Sequence, residues 1–265
     1  MWGMEYLLHS IWMAVAVGAY LLIARRSVRT ALSHSSRFPV AVWHWPESIF
    51  TVSIVTFFLL MAASSFGNAP SPVHLKAIKS SLTLYCAIIL FVVGFLVYRN
   101  VNLIEAFGLQ VGKWVTGLPA IFLAVGLVLP PICAAQFLGY TFAGPSAEPQ
   151  PIVTFLMNAQ GWQSYVAVIG IAVFAAPLTE ELIFRGCLYG IVRQLGGRYV
   201  AMGVSAVVFA LIHGHIPSLP GLVILAVALA LLYEHTGSLW APISMHAGFN
   251  AISIFGTIMW PDAMK

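Results

Sequence analysis

Eight apolar runs take up most of this chain, and they leave few folds open to it. They extend from Tyr6 to Ala24, Ile49 to Phe66, Leu82 to Tyr98, Leu118 to Phe137, Gln163 to about Val192, Val200 to Ile212, Leu219 to Tyr233 and Leu239 to Trp260. A run of about 20 apolar residues crosses the hydrocarbon of a bilayer as a single helix. In lipid each backbone N–H and C=O must find its partner within its own segment, so helices are expected and an open sheet is not. The expected fold is all-α: a polytopic membrane helix bundle of about eight transmembrane helices.

Composition agrees. Of the 265 residues, 60% are hydrophobic and 8% charged, against about 25% charged in soluble domains. No separate soluble domain fits between the runs. The net charge of +4 could point to nucleic acid, but the Lys and Arg residues are scattered between apolar runs and form no basic patch, so no nucleic acid partner is expected. They read instead as topology signals. With the N-terminus outside, Arg25, Arg26, Arg29, Arg37, Arg99, Lys113, Arg185, Arg193 and Arg198 fall on the inner side, leaving Lys76, Lys79 and Lys265 outside, as the positive-inside rule asks. The cluster Arg25, Arg26, Arg29 follows the first apolar run instead of preceding it, which predicts a retained helix and not a cleaved signal.

Between the runs, Pro70, Pro72, Gly144, Pro145, Pro149 and Pro151 mark loops. The stretch from Asn102 to Lys113 mixes polar and apolar residues at near-helical spacing and is expected along the membrane interface. Trp2, Trp43, Trp45, Trp114, Trp162, Trp240 and Trp260 sit near run ends, as an aromatic belt requires. Cys86, Cys133 and Cys187 show no metal spacing and read as buried small side chains. Glu234 and most of the scattered histidines, among them His34, His74 and His215, read as solvated or interfacial.

The ionisable residues inside apolar runs carry the functional argument, because such groups are costly in hydrocarbon and usually mark function. Glu180, Glu181 and Arg185 lie within AAPLTEELIFRGCLYGIVR, His213 ends the next run, and His246 with Asn250 lies in the last. At about 1.5 Å per helical residue, Glu180 comes out roughly 15 Å deep, His213 roughly 20 Å, and His246 with Asn250 roughly 10 to 17 Å. Three runs thus place polar groups in one layer. Adjacent helical residues point about 100° apart, so Glu180 and Glu181 are not expected to face the same partner. Glu181 and Arg185, spaced i,i+4, are expected to neutralise each other as an ion pair.

That leaves Glu180 as a general base for water, His213 as its assistant, and His246 with Asn250, one helical turn apart, as donors to a developing oxyanion. The inventory suits hydrolysis of a peptide bond. Ser205 lies two turns before His213 and has no nucleophile-elbow surroundings. Two other classes compete. A non-catalytic immunity or scaffold protein would keep the polar cluster for helix packing. A proton-coupled transporter would use it as a relay, but the chain has no halves of similar pattern.

At these residues the sequence resembles the type II CAAX prenyl endopeptidases and bacteriocin-processing membrane proteins, the CPBP or Abi family. The family's EExxxR motif stands here as Glu180, Glu181 and Arg185, its FxxxH as Phe209 and His213, and its HxxxN as His246 and Asn250. The resemblance covers roughly Gln163 to Trp260, the family's core of four helices, and divides the chain into 1–117, divergent N-terminal helices with the interfacial segment, and 118–265, the protease core. It implies a glutamate-type intramembrane endopeptidase with catalytic Glu180, His213, His246 and Asn250, with Glu181, Arg185 and Phe209 in support. The implied partners are a peptide or protein substrate, lipidated or not, and the bilayer. The implied site opens to the cytoplasmic side of a multi-pass protein. A zinc ion held by Glu180, His213 and His246 is the alternative, but the HExxH pattern is absent and the preferred mechanism needs no cofactor.

Overall fold

All regular structure among the described residues is helical. The computed structural model describes residues 2–33, 36–39, 41–64, 73–145 and 147–260. His34, Pro70, Pro72 and Lys265, together with the side chains of Trp2 and His9, lie outside the described residues.

The chain divides into two compact units. Met1–Ser36 contains a single helix, α1 (Trp2–Ser33). Arg37–Lys265 contains everything else: α2 (Trp45–Ala63), α3 (Leu75–Tyr98), α4 (Leu103–Phe107), α5 (Val111–Ala143), α6 (Pro151–Met157), α7 (Trp162–Ile169), α8 (Ala176–Glu181), α9 (Tyr189–Leu211), α10 (Leu219–Thr236) and α11 (Trp240–Met259). Two π-helical segments, Gly170–Ala175 and Leu182–Leu188, flank α8, and a 3₁₀ turn, Ile216–Ser218, precedes α10.

The bundle spans a membrane. Five described stretches are long and apolar enough to cross one: Trp45–Ala63, Leu75–Tyr98, Leu103–Ala143, Trp162–Leu211 and Ile216–Thr236. The fourth has 50 residues, more than twice the roughly 20 that one crossing needs. Gly197, at φ +78° and ψ 175°, breaks it into two helices, close to where the apolar runs part in the sequence. α11 is less apolar because it carries His246 and Asn250.

α10 lies at the centre of the unit. Its Leu222, Ala226, Ala230 and Tyr233 pack toward α9, while Leu225, Leu229 and Leu232 pack toward α5 and α11. The i,i+4 and i,i+3 steps within each set draw two apolar stripes on one helix, so α10 is buried on both sides. On another flank α3 packs against α7, the first π segment and α8, through Ile78 and its partly buried neighbours Leu82 and Tyr85.

Several side chains differ from the sequence reading. Glu234 is buried, with Oε1 accepting from Arg193 Nε at 2.7 Å and from the Tyr189 hydroxyl at 2.9 Å. Its place at a helix end suggested solvent, but a cation and a phenol from α9 replace the water there. Trp43 is buried too, exchanging backbone hydrogen bonds with the Gln194 amide at 2.9 and 3.0 Å, whereas Trp45, Trp162 and Trp260 are exposed. Cys187 is buried, but Cys86 and Cys133 are exposed on the apolar outer faces of α3 and α5, where a small apolar side chain meets lipid as readily as protein. The Asn102–Lys113 stretch is pinned inward by Phe107, which is buried and stacks on Trp43 at 6.2 Å between ring centroids.

Candidate active site

Pro177 supplies the local cause of the site's shape. It has no N–H to donate, and at this point the helix widens: the Ala176 N–H donates to Ile171 five residues back. A second widening follows, where the Tyr189 N–H reaches Phe184. π turns of this kind often mark functional positions. Between them α8 ends on Glu180 and Glu181, and Arg185 lies in the second widened turn. α9 carries Phe209 and stops at Leu211, two residues before His213, as Gly214 turns the chain at φ +60°. His246 and Asn250 come from α11.

Glu181 is fully buried, and its Oε1 receives both Arg185 Nη1 and His246 Nδ1, each at 2.9 Å. Arg185, equally buried, donates its other terminal nitrogen to Ala226 O of α10 at 3.2 Å. Its guanidinium stands over the Phe209 ring, 4.4 Å from the centroid, an arrangement that favours a cation in a dry place. Phe209 also meets the rings of His213 at 4.9 Å and His246 at 5.7 Å. It thus forms the apolar floor shared by the guanidinium and both imidazoles.

Glu180 faces both imidazoles. Its Oε2 lies 4.0 Å from His213 Nε2 and 3.9 Å from His246 Nε2, is buried, and has no hydrogen-bond partner in the protein. Its Oε1 accepts from the Tyr85 hydroxyl at 3.4 Å. The expectation that the two glutamates share no partner is therefore corrected: His246 presents Nδ1 to Glu181 and Nε2 to Glu180. The 100° step between helical neighbours still holds, but an imidazole carries a nitrogen on each of two edges and fits between them.

The tautomers follow from the partners. His213 Nδ1 faces the Phe209 carbonyl at 2.8 Å, which can only accept, so Nδ1 carries the hydrogen. His246 Nδ1 likewise donates to the carboxylate of Glu181. In the neutral rings both Nε2 lone pairs are left pointing toward Glu180. The site opens on one side: the His213 side chain is 22% exposed and that of Glu180 9%, while Glu181 and Arg185 are at 0%.

Asn250 donates Nδ2 to Ala172 O at 2.7 Å. Ala172 belongs to the first π segment, so the amide ties α11 to the widened turn and keeps one N–H for another acceptor. Among the described residues no group of three or more His, Cys, Asp and Glu side chains is arranged to hold a metal ion. The separations of 3.9 and 4.0 Å exceed the roughly 3.3 Å between ligands set tetrahedrally at about 2.0 Å from one zinc ion. Tyr85 is the site residue that sequence reasoning missed. A tyrosine inside an apolar run, 95 positions before Glu180, carries no spacing that would single it out.

An all-helical membrane bundle that buries a Glu-Glu-Arg helix against two imidazoles defines the class of this protein: a polytopic membrane protein with an acid–imidazole cluster in its interior. Within that class, residues 162–252 match the type II CAAX prenyl endopeptidase Rce1-like family. Over 107 residues it is 31% identical to the membrane-embedded CAAX protease MroQ of Staphylococcus aureus (strain USA300), covering 38% of this chain and 41% of MroQ. Over 92 residues it is 26% identical to YdiL of Bacillus subtilis (strain 168), a provisionally named membrane peptidase, covering 35% of this chain and 38% of YdiL. The chain thus matches about two fifths of the length of each of these relatives. No solved structure matches it.

Proposed function

We propose that the chain is an intramembrane endopeptidase of the glutamate type, in which Glu180 activates the water that hydrolyses a peptide bond. One observation carries the reading: Glu180 Oε2 is buried and unpartnered, with an imidazole Nε2 at 4.0 Å and another at 3.9 Å. A water about 2.8 Å from both Glu180 Oε2 and His213 Nε2 would subtend an angle of about 90°, close to what its two hydrogens need. Glu180 takes one proton as the water oxygen attacks the carbonyl carbon. The negative charge gathers on the carbonyl oxygen, where the second N–H of Asn250 supplies a donor, with His246 one helical turn away. The proton held by Glu180 then passes to the leaving amide nitrogen as the C–N bond breaks.

The substrate in this reading is a peptide or protein that reaches the cluster past His213, whose side chain is more open than that of Glu180. The inner-side excess of Arg and Lys supports an opening toward the cytoplasmic face. The names of the relatives suggest a prenylated CAAX tail as the first substrate to try.

A second reading is favoured by a different observation. Glu181, Arg185, His246 and Ala226 form a buried hydrogen-bonded chain across three helices, which a scaffold protein could keep for packing alone. One experiment separates them. Purified protein is incubated with a farnesylated CAAX peptide and a panel of transmembrane peptides, with and without chelator. The endopeptidase cleaves at least one of them, is insensitive to chelator, and loses cleavage in Glu180→Ala and His213→Ala while both variants purify folded. Activity retained in either variant excludes the mechanism, and inhibition by chelator replaces it with the zinc form.

A further inference from the structure

We propose that Tyr85 is a positioning residue for Glu180: its phenol holds Oε1 of the carboxylate so that Oε2 is presented to His213 and His246. The inference rests on the endopeptidase reading and adds to it a group from α3, which lies before the segment that matches the family. The terminal torsion of a glutamate is broad, with two nearly equivalent orientations. A carboxylate with neither oxygen anchored would therefore turn freely beside the imidazoles. Here the two oxygens are unequal. Oε1 faces the Tyr85 hydroxyl at 3.4 Å, and Oε2 has no hydrogen-bond partner in the protein.

The direction of the bond is set by chemistry: a carboxylate oxygen accepts, so the phenol donates. Its length exceeds the usual 2.7 to 2.8 Å of an O–H···O bond. Hydrogen bonds at catalytic groups are often long before substrate arrives and tighten in the working complex. Tyr85 is suited to the task because it turns about only two side-chain torsions and its helix is clamped. Ile78 is buried against Val168 and Ile171, and Leu82 packs beside them, fixing α3 against the first π segment that leads into Glu180. A phenol on a rigid helix holds its acceptor at little entropic cost.

The test is Tyr85→Phe, which deletes one oxygen and keeps the ring, with Cys86→Ala as a control on the exposed side of the same helix. Two readouts are taken. In steady-state cleavage of the substrate found above, Tyr85→Phe is expected to lower kcat about tenfold, the effect of one hydrogen bond to a charged group. KM and the melting midpoint should stay unchanged, and Cys86→Ala should match wild type. In infrared difference spectra, with Glu180→Gln identifying the carboxylate band of Glu180, Tyr85→Phe is expected to shift that band. An unmoved band, or an unchanged kcat, overturns the proposal, as does a rise in KM alone. If wild-type protein cleaves nothing, the endopeptidase reading fails by itself, and the infrared band still decides whether Tyr85 holds Glu180.

Discussion

His246 and Arg185 meet on a single atom: each donates to Oε1 of Glu181 at 2.9 Å, inside a part of the bundle closed to solvent. One carboxylate therefore holds a cation and sets the tautomer of an imidazole at once. The ion pair expected from the i,i+4 spacing is present, and it extends to a third helix. The consequence is a division of labour between neighbours, with Glu181 bonded on its inner side and Glu180 left to face the opening.

Removing the charge of Glu181 should damage both functions. Glu181→Gln leaves Arg185 buried without its counter-ion, at a cost of about 3 to 5 kcal/mol, and frees His246 to rotate or change tautomer. Cleavage should fall at least about 10²-fold, as when the acid orienting a catalytic histidine is neutralised. The double variant Glu181→Leu with Arg185→Leu should recover much of the stability, since apolar pairs can replace buried ions, but none of the activity. Denaturant unfolding in detergent and steady-state kinetics measure the two effects separately.

Asn250 is expected to show its structural share in the unfolding data. Asn250→Ala loses the 2.7 Å bond to Ala172 O and leaves that carbonyl without this donor, so stability should drop by about 1 to 2 kcal/mol. Asn250→Asp sets a carboxylate against a carbonyl oxygen and should be worse. An Asp variant as stable as wild type would show that the amide does not hold the widened turn.

Gly139 should tolerate no side chain. A Cβ at this position on α5 would overlap the carbonyl oxygen of Pro217 in the 3₁₀ turn. Because the obstacle is backbone, relief requires α5 and that turn to part. Gly139→Ala is expected to cost on the order of 2 kcal/mol, in the range of overpacked cores. Lowering of the melting midpoint in detergent is the check.

Glu234 offers a control outside the candidate site. It is 3% exposed and bonded to Arg193 and Tyr189. Glu234→Gln should lower stability by about 1 to 3 kcal/mol while the kcat of the folded fraction stays at the wild-type value. A proportionate loss of kcat would mean that this cluster is coupled to the catalytic layer.

Much of the architecture was legible in the chain because hydrocarbon enforces it. A bilayer accepts long apolar helices and penalises ionisable groups, so the runs show as periods of hydrophobicity and Glu180, Glu181, Arg185, His213, His246 and Asn250 show as exceptions to them. Spacing of i,i+4 foretold the Glu181–Arg185 pair. Even the break near Gly197 lies in the gap between two runs.

What stayed hidden depends on which surfaces meet. The burial of Glu234 and Trp43 comes from side chains of distant segments, Arg193 and Tyr189 for one and Phe107 and Gln194 for the other. The widening of the helix around Pro177 alters which way Glu180 and Glu181 point, and no hydropathy pattern reports it. Tyr85 reaches Glu180 only because α3 packs on α7 and α8. Residue type and local period decided which groups lie inside the membrane and on which helix; contacts between helices far apart in sequence decided which oxygen faces which nitrogen, since that choice depends on angles and distances that no single segment contains.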